Sequence, residues 1–260
     1  MVIIFEYKNW IVKLENSIFS LSIDRPEKKN AFDSSVIEEL SKIVEVEIKE
    51  NLDKIRVVII SSSLEDYFTV GLDINWLLTL NDEEAKRMTE HLQDIFNHIE
   101  ILPIPVIMAV SGLNFTAGFE LMLCCDIVIA AENVRFGQVE SKWGLTPAAG
   151  ATQRLIRFVG PLKAKEIIFT SRIINAQEAF QIGLVNEIVP LSELNIRVKE
   201  LANLIMQNSG KAVSLCKEMI NSGVYKNPIG FSMEGQSFYE CFKTEEPKKR
   251  LQKFLDGDKK

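Results

Sequence analysis

Glu120 and Glu140 are the two residues of this 260-residue chain whose type and setting best fit acid–base chemistry. Glu120 lies in the apolar and small-residue segment from Ala117 to Leu123, where burial penalises the charged form of a carboxyl group. Glu140 lies further along, in a glycine-punctuated segment. Two carboxyl groups in unlike environments can act as a paired acid and base at neutral pH. The pair therefore predicts proton-transfer catalysis; the alternatives are a buried carboxylate tied to backbone N–H groups for Glu120 and a surface glutamate for Glu140.

Histidine and cysteine, the other residue types that often carry chemistry, give no comparable pattern. His91 and His98 are both in a polar helical pattern, so we expect them to share a helix face rather than to form a catalytic or metal site. Cys124 and Cys125 are adjacent in an apolar run, which favours buried free thiols over disulfides or metal ligands. We therefore expect no metal site.

Composition and charge limit the class of protein. Hydrophobic residues make up 47% and charged residues 25% of the chain, as in a globular domain with a full core. The net charge of −6 argues against a nucleic-acid partner. No run approaches the ~18 apolar residues of a membrane span, and the N-terminus lacks the features of a secretory signal. We expect a cytoplasmic protein without a membrane partner.

The elements that must position the two glutamates alternate between strand and helix, which predicts an α/β fold. Residues 62–70 are expected to form a loop, and a glycine-punctuated segment is expected to run from the strand at 127–131 to Pro147. From residue 192 the pattern is helical, which predicts a core over residues 1–190 and a helical region over residues 191–260. The other strands are predicted over residues 2–7, 9–14, 17–24, 56–61, 106–110 and 184–189, and the helices over 33–51, 82–102, 118–125, 149–159, 161–170 and 176–181.

Six short motifs, in order between Arg25 and Leu155 and within a match that extends from about residue 17 to the tail, resemble the crotonase superfamily, whose commonest member is enoyl-CoA hydratase. The motifs are RPEKKNA from Arg25, FTVGLDI from Phe68, GFEL from Gly118, CDIVIA from Cys125, FGQVE from Phe136 and GATQRL from Gly150. The resemblance implies a spiral core of stacked ββα turns and a helical C-terminal trimerisation region, giving a homo-trimer or a dimer of trimers. It also implies an acyl-CoA thioester substrate, as in fatty acid metabolism, and no cofactor.

The resemblance also implies roles for individual residues. Glu120 and Glu140 match the family's two catalytic carboxylates. Glu120 would act mainly as base on a water that adds to the β-carbon, and Glu140 would deliver a proton to the α-carbon. The backbone N–H groups of Leu72 and Ala117 match the oxyanion hole, which stabilises the negative charge on the thioester oxygen.

Six further positions match substrate-binding regions of the family. The lysine-rich loop would meet the adenine and phosphates of coenzyme A, or would be a solvated charged turn. The aromatic residues would border the acyl or adenine pocket, of this subunit or of a neighbour, or would simply pack. The six residues are Lys28, Lys29, Ala31, Trp143, Phe238 and Phe254.

The chain departs from the family where small residues replace glycines. Thr116-Ala117-Gly118 stands where the family often has three glycines, and Ala148 and Ala151 bring further methyl groups after Glu140. Because these groups take up volume, we expect a narrower acyl pocket. Two alternative functions stay open: an enoyl-CoA isomerase or other enolate-forming lyase, for which one carboxylate is enough, and a catalytically idle scaffold.

Overall fold

Two β-sheets form the framework of the protein, whose computed structural model describes residues 2–224, 235–236, 238–239 and 241–257. The strands are β1 (Val2–Glu6), β2 (Trp10–Glu15), β3 (Ile18–Ile23), β4 (Val57–Ser62), β5 (Tyr67–Thr69), β6 (Val106–Val110), β7 (Leu113–Phe115), β8 (Ile127–Ala131), β9 (Arg135–Gly137), β10 (Ile174–Asn175) and β11 (Glu187–Val189). The larger sheet has seven strands in the order β1-β2-β3-β4-β6-β8-β11. The smaller sheet has four, in the order β10-β9-β7-β5.

Strands β4 to β9 alternate between the two sheets, and a helix follows each pair. The helices are α1 (Ser34–Lys42), which continues as a π-helical segment (Ile43–Ile48), α2 (Ile74–Leu77), α3 (Asp82–Glu100), α4 (Ala117–Met122), α5 (Ala151–Thr170), α6 (Ala176–Gln181), α7 (Leu194–Met206), α8 (Gly210–Val224) and α9 (Glu245–Leu255). Thus β4 and β5 lead to α2 and α3, β6 and β7 to α4, and β8 and β9 to α5. This repeated ββα arrangement is the spiral core that the sequence predicts.

The central strands of the larger sheet are buried because both faces are covered. All five residues of β6 are buried, as expected for a continuous apolar strand in a parallel arrangement. Ile107 and Ala109 pack on one side with Leu194, Val198 and Ala202, which come from α7 and the residues around it. The alternate residues of the strand face the main core on the other side. The predicted strands in this sheet are confirmed, although β11 is shorter than the predicted 184–189.

Side-chain caps fix the starts of several helices. Asp33 accepts a hydrogen bond from the backbone N–H of Val36 and so caps α1. Asp73 caps α2 by accepting from the N–H of Asn75 at 2.9 Å. Each cap gives a first-turn N–H group an acceptor that the helix cannot supply. The predicted helices over 149–159 and 161–170 are the two segments of α5, which are separated at Gly160, where φ is 73° and ψ is 167°.

The smaller sheet is the main element that the sequence analysis did not predict. Its strand β5 lies inside the predicted loop over residues 62–70, and β9 lies in the glycine-punctuated segment. Both of these strands and β7 have only three residues. Such short strands show no periodicity of their own, and they are defined by pairing with segments that are distant in the sequence.

After β11 the described residues are helical or irregular. The last helix, α9, packs on the turn that contains Trp143: the ring of Phe254 lies 4.6 Å from the Trp143 ring. Among the residues that the structure describes, no helix has the length and apolar content needed to cross a bilayer. Cys124 and Cys125 are buried and unbridged, as expected.

Candidate active site

Three parallel strands of the smaller sheet place the candidate residues at one edge. Strand β7 pairs in parallel with both β5 and β9, so the carboxyl ends of the three strands point the same way. Leu72 follows β5, Ala117 and Glu120 follow β7, and Glu140 follows β9. Loops at the carboxyl ends of parallel strands commonly form ligand sites. The backbone path thus brings four separated sequence motifs to one place.

All four of these residues line a single cavity of about 80 Å³. Most of the other residues that line it are apolar. This apolar wall comes from helices α2 and α3, from the segment after Glu140, and from the C-terminal tail of the same chain. Apolar residues of the wall include Leu77, Met88, Leu92, Leu145, Phe238 and Leu251.

Glu120 is held at this cavity by two backbone N–H groups. It lies on α4, and only 3% of its surface is exposed. Its Oε1 accepts hydrogen bonds from the N–H of Ala149 at 2.9 Å and of Ala151 at 3.1 Å. These donors lie at the start of α5, where N–H groups lack acceptors within the helix and suit an anion. Glu120 is therefore a buried carboxylate tied to backbone N–H groups, which is one of the alternatives predicted from the sequence. The same residue also lines the cavity.

Arg154 fixes the peptide that holds Glu120. Its guanidinium is fully buried and donates to Oε2 of Glu100 at 2.9 Å and to Oδ1 of Asn97 at 2.6 Å, both on α3. It also donates to the carbonyl of Ala149 at 2.9 Å. Arg154 thus joins α3 to the start of α5, and this contact also sets the position of the Ala149 N–H.

Glu140 lines the cavity from the turn that follows β9. It is the first residue of the 3-10 turn Glu140–Trp143, and it is buried. Trp143 lines the same cavity from the other end of that turn. Helix α9 holds the turn from outside, through the ring of Phe254 and through a hydrogen bond from Arg250 to the carbonyl of Lys142 at 3.1 Å. Phe254 itself does not line the cavity, whereas Phe238 does.

The backbone N–H groups of Leu72 and Ala117 have no acceptor among the residues that the structure describes. Around Leu72, Phe32 donates to the carbonyl of Gly71 at 2.8 Å, and Asp73 donates to the carbonyl of Phe32 at 2.7 Å. These two hydrogen bonds engage the Gly71 carbonyl and the Asp73 N–H, on either side of Leu72. The Leu72 N–H therefore points away from Phe32. Both N–H groups thus belong to cavity-lining residues and can donate to a ligand.

The lysine-rich loop lies beside the cavity rather than on its wall. Lys28 Nζ is 3.4 Å from Oδ2 of Asp73, and Lys29 Nζ is 5.3 Å from the centre of the Tyr67 ring. Ala31 is buried. The loop is joined to the segment of Leu72 through the neighbouring Phe32 bridge. Binding of coenzyme A by these three residues stays a prediction.

A larger groove of about 480 Å³ lies elsewhere, between the start of β8 and helix α8. Its charged residues are already engaged with one another: Lys217 pairs with Asp126 at 2.7 Å, and Arg157 pairs with Glu100 at 3.3 Å. Its other lining groups are largely apolar or thiols. Both carboxylates of this groove are thus paired with cations, so the smaller cavity is the better candidate for chemistry.

A family model with the description Enoyl-CoA hydratase/isomerase matches residues 13–260. The chain belongs to the enoyl-CoA hydratase/isomerase family. It is 38% identical over 255 residues to the short-chain-enoyl-CoA hydratase of Clostridium acetobutylicum, a match that covers 98% of this chain and 97% of that one. It is 37% identical over 254 residues to the crotonyl-CoA hydratase of Syntrophomonas wolfei, with 97% of each chain covered.

The fold agrees with this family assignment. The crystal structure of an enoyl-CoA hydratase from Bacillus anthracis matches this enoyl-CoA hydratase/isomerase family member with a TM-score of 0.81 and 33% identity, over 96% of each chain. The crotonase family and its fold, predicted from six motifs, are thereby confirmed. The role of the helical region in forming trimers stays a prediction.

Thr116 is the feature of this family member that the sequence analysis noted only as a departure from glycine. Its backbone has φ 47° and ψ −115°, a conformation that glycine adopts freely and a β-branched residue rarely does. Backbone strain of this kind costs on the order of 1–3 kcal/mol. Thr116 lines the cavity, so the strain lies at the site itself. The replacement of glycine by threonine was the signal available in the sequence.

Proposed function

We propose that the protein hydrates a short-chain 2-enoyl-CoA thioester, with Glu120 as base, Glu140 as acid, and Leu72 and Ala117 as the oxyanion hole. The observation that carries this proposal is the single cavity that both glutamates line together with the two N–H donors. The hydratase relatives at 38% and 37% identity confirm the reaction type predicted from the sequence. The roles of individual residues rest on the geometry.

The reaction needs only proton transfers and one new carbon–oxygen bond. Glu120 takes a proton from a water as its oxygen bonds to the β-carbon. Electrons of the double bond move toward the thioester, whose oxygen gains negative charge. Glu140, in its protonated form, gives its proton to the α-carbon and restores the carbonyl. The proton on Glu120 must then return to Glu140 before the next turnover, so that one water has been added in total.

The hydrogen bonds to Glu120 suit the role of base. Donors from Ala149 and Ala151 compensate the charge of an ionised carboxylate in a buried place, and both reach the same oxygen, Oε1. They also hold the carboxyl group in one orientation. A general base that is already positioned contributes about 10²–10⁴-fold to the rate.

The two backbone donors stabilise the negative charge that develops on the thioester oxygen. Hydrogen-bond donors aimed at charge that develops only in the transition state contribute roughly 3–4 kcal/mol each. Leu72 and Ala117 come from separate turns of the spiral, so the fold rather than a local loop sets their spacing. No step of this scheme calls for a metal or redox group, and the expectation of no cofactor stays a prediction.

The acyl group is expected to be short. The cavity of about 80 Å³ is small compared with the ≈ 300–1,000 Å³ of typical ligand pockets. Met88 and Leu92 of α3 and Leu251 of α9 close it with apolar side chains. This agrees with the sequence expectation of a narrowed pocket. An isomerase of the same family is the runner-up, since proton transfer by Glu140 alone would suffice for it.

Further parts of the sequence prediction belong to this proposal. Residues 1–190 would form the core and residues 191–260 a helical region, with the site also taking Phe238 and Leu251 from the latter. A homo-trimer or dimer of trimers would cover some of the exposed apolar side chains on α5, where Leu162 is 83% and Phe169 74% exposed. Light scattering coupled to size-exclusion chromatography tests the assembly. A cytoplasmic location stays a prediction.

Turnover of a series of 2-enoyl-CoA thioesters tests the proposed function. We expect kcat/KM to be highest for the four-carbon substrate and to fall as the acyl chain grows. A 3-enoyl-CoA of the same length, assayed in parallel, tests the isomerase. Activity on the 3-enoyl substrate without hydration of any 2-enoyl substrate would replace the proposal by the isomerase. Binding of acetyl-CoA by calorimetry tests the scaffold: no affinity and no turnover would favour it.

A further inference from the structure

Thr116 lines the cavity, and its hydroxyl is turned toward Gly71. Its Oγ1 is inaccessible to solvent and has no hydrogen-bond partner among the residues that the structure describes. A buried hydroxyl without a partner is costly, and such groups in native proteins call for an explanation. The backbone strain at the same residue adds to that cost. Threonine at this position therefore opposes stability twice.

The hydroxyl of Thr116 lies beside Gly71, in the segment that carries the Leu72 donor. An ideal Cβ built on Gly71 would lie only 1.8 Å from Oγ1 of Thr116, so the hydroxyl occupies the space beside Gly71. Gly71 directly precedes Leu72, and Thr116 directly precedes Ala117. Gly71 also has φ +99°, which a residue with a side chain rarely adopts. The hydroxyl thus lies between the residue that precedes one proposed oxyanion donor and the residue that precedes the other.

We propose that the Thr116 hydroxyl donates a third hydrogen bond to the thioester oxygen, in addition to those from Leu72 and Ala117. This inference rests on the proposed hydratase function and assigns a further catalytic group to it. A threonine hydroxyl carries one proton, and a change of the staggered χ1 rotamer turns it from Gly71 toward an acceptor in the cavity. The acceptor that two flanking N–H groups would share is a carbonyl or enolate oxygen. Bound substrate then supplies the partner that the protein lacks, and the strain at Thr116 is retained for that contact.

Three variants separate the hydroxyl from the shape of the side chain. Thr116→Val keeps the β-branch and removes the donor, Thr116→Ser keeps the donor, and Thr116→Gly removes both the side chain and the strain. Thr170→Val makes the same chemical change on an exposed residue of α5 and serves as the control. We expect kcat for the four-carbon 2-enoyl-CoA to fall about 10²-fold in Thr116→Val and to stay within about threefold in Thr116→Ser. Thr116→Gly should melt at a higher temperature than the wild type and still lose kcat.

A spectroscopic measurement reports on the contact without turnover. Butyryl-CoA is saturated at the reacting carbons and cannot be hydrated, so its carbonyl, labelled with carbon-13, can be followed in the bound state by infrared difference spectroscopy. Hydrogen-bond donors polarise a carbonyl and lower its stretching frequency. We expect the bound band to move to higher frequency in Thr116→Val and to match the wild type in Thr116→Ser.

The outcomes distinguish this inference from the proposed function. An unshifted band together with a kcat for Thr116→Val within threefold of the wild type would overturn the third donor. Equal losses in Thr116→Val and Thr116→Ser would do the same, because they would indicate a role for shape alone. A wild type that binds butyryl-CoA but hydrates no 2-enoyl-CoA would overturn the hydratase proposal, and the infrared comparison would still decide the role of Thr116.

Discussion

The backbone N–H of Ala149 donates a 2.9 Å hydrogen bond to Oε1 of Glu120. This bond joins the start of α5 to a residue of α4, and the Ala149 carbonyl is in turn held by the buried Arg154. The orientation of Glu120 is therefore set by the core and not by solvent. Such support is what a general base needs, because a small displacement of the carboxyl group weakens proton transfer.

Glu120→Gln should abolish most of the hydration and leave the fold intact. The glutamine Oε1 can still accept the two N–H groups, so the melting temperature should change little. Loss of the base should lower the rate of hydration by at least about 10²-fold. Isomerisation of a 3-enoyl-CoA, where detectable, should persist. Glu166→Gln, on the exposed surface of α5, is the control, and unchanged hydration in Glu120→Gln would contradict the assignment.

Glu140→Gln should reduce both hydration and isomerisation, because either reaction needs proton transfer at the α-carbon. We expect a loss of about 10²–10⁴-fold in kcat for each reaction. Affinity for butyryl-CoA, measured by calorimetry, should change much less than kcat. A variant that isomerises as fast as the wild type would remove Glu140 from the proposed role.

Met88→Ala should shift the preference of the enzyme toward longer acyl chains. Met88 is buried on α3 and contributes to the apolar wall of the cavity. The truncation opens volume and is expected to cost about 2–5 kcal/mol of stability. The ratio of kcat/KM for an eight-carbon to a four-carbon 2-enoyl-CoA should rise about tenfold, within the range that methylene groups give in apolar pockets. Met219→Ala makes the same change on the exposed face of α8 and should leave the ratio unchanged.

Long continuous apolar segments made part of this fold predictable from the sequence. Strand β6 is an uninterrupted apolar run and β4 begins with four apolar residues, and α3 has both a helical period and a capping box formed by Asn81 and Glu84. The three-residue strands β5, β7 and β9 carry no such signal, since their pairing depends on distant partners. These strands bring Leu72 and the two glutamates to one edge of the smaller sheet. Because the strands could not be predicted, only the resemblance to a family linked these residues at the level of sequence.

Contacts between distant segments explain what the sequence did not indicate about the site. Nothing near Glu120 in the sequence points to its bond with Ala149, which depends on how α5 begins. The part that α3 plays in the wall, through Met88, likewise follows from packing. The conformation of Thr116 could be suspected from a missing glycine, but its unpartnered hydroxyl could not. Local sequence preferences predict helices and strands, whereas a functional site depends on how those elements are placed relative to one another.

Lys217→Met should destabilise the protein in a way that depends on pH. Lys217 Nζ lies 2.7 Å from Oδ2 of Asp126 and 3.1 Å from the carbonyl of Ile104, so it joins α8 to the ends of β6 and β8. Burial raises the pKa of Asp126, and the Lys217 ammonium opposes that rise. Removing one partner of a fully buried pair costs about 3–5 kcal/mol, and we expect a smaller loss here because the Asp126 side chain is 24% exposed.

The sign of the pH dependence follows from the raised pKa. Without Lys217 the pKa of Asp126 should rise further in the folded protein, while the unfolded carboxyl keeps its ordinary value of about 3.9. Stability is then retained at a pH below that value and lost as the pH rises through the folded pKa. Urea unfolding should therefore show a larger difference between Lys217→Met and wild type at pH 7 than at pH 4.5. Adding Asp126→Asn should remove this difference in pH response, and Lys163→Met, in an exposed pair with Glu166, should show none. An equal loss at both pH values would mean that Lys217 acts through packing rather than through the charge of Asp126.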